Sequence, residues 1–136
     1  MQIQKTMCSE ILKNQVNRIL DEYEEAYDIS CNYQPFCFIA AEKETTYGIL
    51  TGYTCFSEVY IDDLAVEEAY RRRGIGSALV AAVEEHFRDH GFDNINLCTN
   101  AFQAPGFYEK CGFTLEFVRR NRTDPKLDKY FYVKYF

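Results

Sequence analysis

The stretch YRRRGIGSALVAAVEEH, Tyr70 to His86, runs three consecutive arginines into a Gly-Ile-Gly turn and then into an amphipathic pattern. Ile75, Leu79, Ala82, Val83, His86 and the following Phe87 recur on one side, which predicts a helix opened by the turn. The N–H groups at a helix N-terminus have no intrahelical partners, so positive charge gathered there points to an anion. The chain has 15 Lys and Arg against 21 Asp and Glu, a net charge of -6, so such a gathering needs a local reason. Gly74 and Gly76 carry no side chain, and Ser77 and Ala78 are small, so a ligand can approach the backbone closely. A pyrophosphate suits such a place.

Working outward, VYIDDLAV before the turn reads as a strand with two acids, Asp62 and Asp63, in its middle. Upstream, FCFIAAEK and TTYGILTGYTCF read as two antiparallel strands parted by the charged turn EKET. Before them, Leu12, Val16, Ile19, Leu20, Tyr23 and Tyr27 recur at helical spacing from about Met7 to Tyr27. Downstream, Gly91 suits the position just past the helix end, and NINLCT is a further strand. Pro105 begins and Gly112 ends a short helix, and TLEFVRR and KYFYVKYF are late strands. The order αβββαβαββ describes an α/β chain of α+β type: one mixed, mostly antiparallel sheet flanked by helices, in a single domain over residues 1–136.

Composition narrows the function classes. With 136 residues, 47% of them hydrophobic and 16% aromatic, the chain can build one packed core. No apolar run approaches the ~20 residues that span a bilayer, and MQIQKTMCSEILKNQ lacks the pattern of a secretory signal, so a cytoplasmic protein without membrane partners is expected. The six cysteines are scattered without metal-ligand spacing and read as free thiols in a reducing compartment. His86 and His90 are four apart but have no evident third ligand, so no metal is expected. The acidic balance argues against nucleic acid, and the second basic cluster, RRNR from Arg119 to Arg122, reads as a solvated strand end or loop. The cluster DEYEEAYD, Asp21 to Asp28, reads as the solvated face of the first helix, or alternatively as an acidic rim selecting a cation.

Three ligand classes use a glycine-rich turn before a helix. A nucleoside triphosphate calls for GxxxxGK[ST], which is absent. A dinucleotide calls for GxGxxG, and GIGSAL lacks the third glycine and an early strand feeding a βαβ unit. The third pattern, [Q/R]-x-x-G-x-[G/A], is met by RRRGIG through Arg71, Gly74 and Gly76.

With that pattern the run YIDDLAVEEAYRRRGIGSALVAAVEEH resembles the acetyl-coenzyme A binding core of the GNAT superfamily of N-acetyltransferases. NINLCTNAFQAPGFYEKCGF is similar to the second block of that family, and its FQAPxFYxKxGF form to that of small bacterial members. The resemblance implies the GNAT acyl-CoA N-acyltransferase fold, with acetyl-CoA as acyl donor. It also implies that the turn around Arg71, Arg72, Arg73, Gly74, Ile75, Gly76 and Ser77 cradles the pyrophosphate. Leu64, Ala65 and Val66 would pair with the pantetheine arm as an added strand. Asn100 would hydrogen-bond that arm, and Tyr108 would face the cofactor sulfur.

The reaction this implies is direct attack of a primary amine on the thioester. A neutral amine is needed, and with a pKa of about 10.4 its neutral form at pH 7 lies roughly 4 to 5 kcal/mol uphill. Asp62 and Asp63 are the candidate bases; adjacent on a strand, one is expected to face the acceptor and the other solvent or a neighbouring strand. The N–H of Ala65 or Val66 is the candidate oxyanion donor, and Tyr108 the group that protonates or hydrogen-bonds the leaving thiolate. The acceptor expected is a small cationic amine, or a protein amine. The alternative is a coenzyme A-binding sensor without turnover. A homodimer is expected if the edge of KYFYVKYF pairs across two chains, although that segment reads equally as an interior strand.

Overall fold

Alternating apolar side chains in FCFIA and YGILTGY build a hairpin of β1 (Gln34–Glu42) and β2 (Thr45–Cys55), turned at Lys43, whose φ is 56°. Phe36, Phe38 and Ala40 pair with Gly52, Leu50 and Gly48, so these six share one face of the sheet. The next strand, β3 (Glu58–Val66), adds Val59, Ile61 and Leu64 to the same face. Helix α2 (Ile75–Phe87) packs across that face, burying Leu79, Val80 and Val83. The chain then enters β4 (Asn94–Asn100), parallel to β3, and α3 (Gly106–Lys110) leads to β5 (Thr114–Arg119) and β6 (Lys129–Tyr135).

The structure, a computed structural model, describes residues 1–136 and separates into two compact units, Met1–Asn32 and Tyr33–Phe136. In the first unit, α1 (Glu10–Ala26) starts later than the apolar periodicity suggests. Ser9 takes the N-cap, its hydroxyl accepting from the Leu12 N–H at 3.3 Å. Within DEYEEAYD, the Glu24 carboxylate accepts the Cys31 N–H at 3.3 Å, so that acid also shapes the chain after the helix. No helix is long and apolar enough to cross a membrane.

The second unit holds one six-stranded sheet in the order β1-β2-β3-β4-β6-β5, antiparallel except at β3–β4. Its core lies between the sheet and α2, with Leu50, Val59, Val83, Ile95 and Tyr132 at most 1% exposed. Fully burying each such side chain contributes about 1.5–3 kcal/mol. Tyr108 of α3 joins the same core. The last strand, KYFYVKY, is interior between β4 and β5, so its edges are already paired and cannot serve a second chain; the free edges belong to β1 and β5. Gly91, at φ 87°, follows α2, and the Phe92 ring packs back on Phe87 with centroids 5.5 Å apart.

Two ion pairs tie the ends of the sheet. Lys134 of β6 donates to Glu84 of α2 at 2.6 Å and to the Cys111 carbonyl at 3.1 Å, holding the end of α3 against α2. The basic cluster Arg119–Arg122 is exposed at the end of β5 and in the loop after it, as its composition suggests, and one of its arginines is also paired. Arg120 pairs at 2.9 Å with Asp128, a residue 3% exposed, which also accepts the Asn121 N–H at 2.7 Å. Arg119 lies over the Phe131 ring.

Two stability measurements test this architecture. A Cβ at Gly52 would overlap the Tyr60 carbonyl oxygen and stand 2.5 Å from Phe36 Cζ. Gly52→Ala is therefore expected to lower unfolding free energy by about 2–4 kcal/mol in a urea titration. The Asn121 N–H and Arg120 hold the Asp128 carboxyl below its ordinary value. Its contribution is thus present above about pH 4 and lost as pH falls through the lower folded value. Asp128→Asn should destabilise at pH 7, and the gap to the parent protein should narrow only in strong acid.

Candidate active site

The turn predicted to bind an anion forms where β3 gives way to α2. After a 3₁₀ turn at Glu68–Tyr70, Arg72 adopts φ 62° and Gly74 adopts φ 77°, so two left-handed residues bracket Arg73. Gly74 is the N-cap of α2 and has no side chain with which to cap it. The first intrahelical bond runs from the Ala78 N–H to the Gly74 carbonyl at 2.9 Å. The N–H groups of Ile75, Gly76 and Ser77 come before it and lack intrahelical partners, and an anion can take them.

The three arginines are not equivalent. Arg71 turns back, its Nε donating to the Val66 carbonyl at 2.9 Å. Arg73 lies over the Tyr70 ring at 5.4 Å, and Tyr70 stacks on Tyr47 with centroids 4.7 Å apart. Arg72 is exposed, has no ion pair or ring contact, and is the guanidinium available to a phosphate.

Gly76 marks where the elements converge. A Cβ there would stand 3.2 Å from Phe107 Cζ of α3 and 3.9 Å from Leu64 Cδ2 of β3. Beside it the sheet opens. The parallel ladder between β3 and β4 ends at Ile61↔Leu97, after which β3 runs on to Val66 paired only with β2, and β4 runs on to Asn100 paired only with β6. One edge of Leu64, Ala65 and Val66 therefore faces no strand and can hydrogen-bond an extended ligand. Asn100 on the other wall is engaged. Its Nδ2 donates to the Leu127 carbonyl at 3.1 Å, and its side chain and the Gln103 side chain cap each other's backbone N–H.

Tyr108 lies at the apex of this opening, on the helix side. Its ring packs on Phe107, Phe113 and Tyr132, and Tyr132 pairs in register with Leu97, the last β4 residue joined to β3. The side chain is 9% exposed, and burial pushes its phenol up to about 12. Its hydroxyl makes no hydrogen bond within the chain and stays protonated across the physiological range, a neutral donor.

The two aspartates depart from strict alternation. Thr51 of β2 pairs with Asp63 and the next residue, Gly52, pairs with Ile61, so Asp62 is the extra residue of a β-bulge. Ile61 and Leu64 both face α2, which turns Asp62 and Asp63 together to the opposite face. The expectation that they point to different sides fails because the bulge breaks the period of two. Asp63 is approached by the Thr51 hydroxyl at 3.5 Å, whereas Asp62 has no hydrogen bond or ion pair.

Sequence reasoning missed two tyrosines on this face. Tyr53 and Tyr60 pair across β2 and β3 with centroids 5.0 Å apart, and both phenols are raised, by burial first. The Asp62 charge raises both further. The spacing of Tyr60 two residues before Asp62 was the available signal. His86 and His90 stack at 6.3 Å, and no group of three His, Cys, Asp or Glu side chains is arranged to hold a metal.

Comparisons with known proteins bear on the family and the fold. A family model described as the acetyltransferase (GNAT) family matches residues 6–113. A blasticidin-S acetyltransferase from Streptomyces morookaense is 33% identical over 79 residues, 57% of this chain and 58% of that protein, so the match spans less than two thirds of the relative. An acetyltransferase structure from Bacillus cereus ATCC 14579 superposes with a TM-score of 0.84 at 24% identity, over 100% of this chain and 98% of the other. A GNAT family acetyltransferase from Elizabethkingia anophelis, solved with acetyl-CoA bound, superposes with a TM-score of 0.65 at 17% identity, over 88% of this chain and 82% of the other. At these identities the solved structures show a shared fold.

The division of labour among the arginines is measurable. Arg71→Ala removes a hydrogen bond that pins the end of β3 and should lower stability by about 1 kcal/mol, a few degrees in Tm. Arg72→Ala removes no contact and should leave Tm unchanged in the same thermal scan.

Proposed function

The chain belongs to the GNAT acetyltransferase family, and on that premise we propose that it transfers an acetyl group from acetyl-coenzyme A to a primary amine. The observation that carries this reading is the parting of β3 and β4 beside a helix N-terminus capped only by glycine. A diphosphate and an extended amide-bearing arm need these two features side by side. The residues fit the group: the turn is open, with nothing within 4 Å of a Cβ at Gly74, and the strand edge is unpaired.

In this reading Arg72 and the N–H groups from Gly74 to Ser77 hold the pyrophosphate, and Leu64, Ala65 and Val66 hydrogen-bond the arm. Asn100 fixes the far wall through its cap. Acetyl-CoA supplies the acetyl thioester. The amine approaches from the face of the aspartates, and Asp62, the unpaired one, takes its proton directly or through water. The N–H of Ala65 or Val66 donates to the carbonyl oxygen as charge develops. Tyr108 donates from the helix side to the leaving sulfur. The C–N bond forms, the C–S bond breaks, and the proton lost by the amine balances the one gained by the thiol. Acid and base thus stand on opposite faces of the sheet, and the gap between the strands connects them.

Titration of the protein with acetyl-CoA, followed by thiol release on a panel of amines, tests the proposal. Binding and turnover support it; binding without turnover on any amine favours the sensor, and no binding ends both. Tyr108→Phe should lower kcat about 100-fold while acetyl-CoA affinity changes little. Unchanged kcat takes Tyr108 out of the mechanism. Because Tyr108 stays protonated to about 12, kcat/KM should rise with pH as the amine loses its proton, with no fall in the alkaline range below that value.

A further inference from the structure

The face that carries Asp62 and Asp63 continues along β2 and β3 into a cavity. A space of about 430 Å³, lined by Tyr53, Cys55, Phe56, Ser57, Glu58 and Tyr60, opens at the β2–β3 hairpin. Its volume falls within the range of small-molecule sites. Tyr53, Cys55, Glu58 and Tyr60 share their face with Asp62 and Asp63, because Cys55 pairs with Glu58 and Tyr53 with Tyr60. The Tyr53 and Tyr60 rings meet at 39°, a tilted wall rather than a stack. Phe56 closes the hairpin side at φ 52° with nearly half its surface exposed.

The charges around this cavity are all of one sign. No lysine or arginine lines it, and neither Glu58 nor Asp62 takes part in an ion pair. Glu58 accepts only a long bond from Asn94 Nδ2, at 3.4 Å. Tyr53 pairs across the ladder with Tyr60, which lies two residues from Glu58 on one side and two from Asp62 on the other. A second cavity, at the opposite end of β2 and β3, differs on this point because Arg71 lines it and supplies its own cation.

We propose that the cavity between Tyr53, Tyr60 and Glu58 binds a second positive charge of the acceptor, so that the preferred substrate is an extended di- or polycationic amine. Two aromatic faces and an uncompensated carboxylate attract an organic ammonium and repel an anion. Glu58 and Asp62 are four residues apart on one strand, about 13 Å at ~3.3 Å per residue. That distance sets the spacing between the amine that reacts and the ammonium that anchors. This inference rests on the acetyltransferase reading for the identity of the reacting end, but the subsite itself is a binding property.

The test is therefore equilibrium binding, by calorimetry without acetyl-CoA, of α,ω-diaminoalkanes of increasing length. The n-alkylamines of the same chain lengths serve as controls. Affinity should peak for diamines at a nitrogen-to-nitrogen span of about 10–13 Å and exceed that of the matched monoamine about tenfold. Glu58→Gln, an isosteric change at an exposed position, should erase that advantage. Tyr53→Leu, which keeps bulk without a π face, should reduce it several-fold. Equal affinity for mono- and diamines, no length optimum, or an advantage that survives Glu58→Gln would overturn the proposal. Acetyl transfer is assayed separately on the same amines. Diamine binding without transfer counts against the acetyltransferase reading and leaves the subsite standing, whereas transfer without length preference counts against the subsite.

Discussion

Much of this structure depends on one irregularity in the β2–β3 ladder, where Asp62 and Asp63 of β3 stand opposite the single residue Thr51. A bulge bends its strand and increases the local twist. Here it falls at the last residue for which β3 is hydrogen-bonded to β4, since the parallel ladder ends at Ile61↔Leu97. Beyond that point β3 follows β2 and leaves β4, and a strand edge in the middle of a sheet loses its partner. Gly52 is part of the same constraint, because the Tyr60 carbonyl and the Phe36 ring fill the space that a side chain would need.

An unpaired interior edge leaves backbone donors and acceptors unsatisfied unless water or a ligand takes them. The neighbouring elements are arranged around that opening. Gly76 lets α2 come within contact of Phe107 and Leu64, and Lys134 locks the end of α3 to Glu84 of α2. The glycine turn, the open edge and the Tyr108 phenol are thus held by contacts within the chain itself. The same bulge turns both carboxylates to the face away from Tyr108, so the aspartates and the phenol are separated by the thickness of the sheet.

How far this was legible in the sequence varies with the kind of interaction. Every element appears in the predicted order, because periodicity, Gly91, Pro105 and Gly112 are signals that act over a few residues. The glycine turn was legible for the same reason, as a strand passing to a helix N-terminus without a capping side chain. The aspartates were read wrongly as a pair that alternates, whereas RRNR is the exposed strand end and loop that its composition suggests. That error came from pairing with another strand, and the pairing of Arg120 with the buried Asp128, several residues away in the chain, was equally out of local reach. Asn100 carries a motif position but spends its amide on Leu127, a contact 27 residues distant.

By itself the sequence determined the element order, the place of the glycine turn, the tyrosine within the short third helix and the presence of two acids before the turn. Each follows from hydrogen-bond periods, caps and backbone freedom, which depend on near neighbours. Only the tertiary structure decided which face the acids occupy, which of the three arginines is free, that KYFYVKY lies inside the sheet, and that Tyr53, Tyr60 and Glu58 enclose a cavity. Those outcomes depend on register between strands distant in sequence. A shift of one residue there reverses the direction of a side chain without changing any local preference.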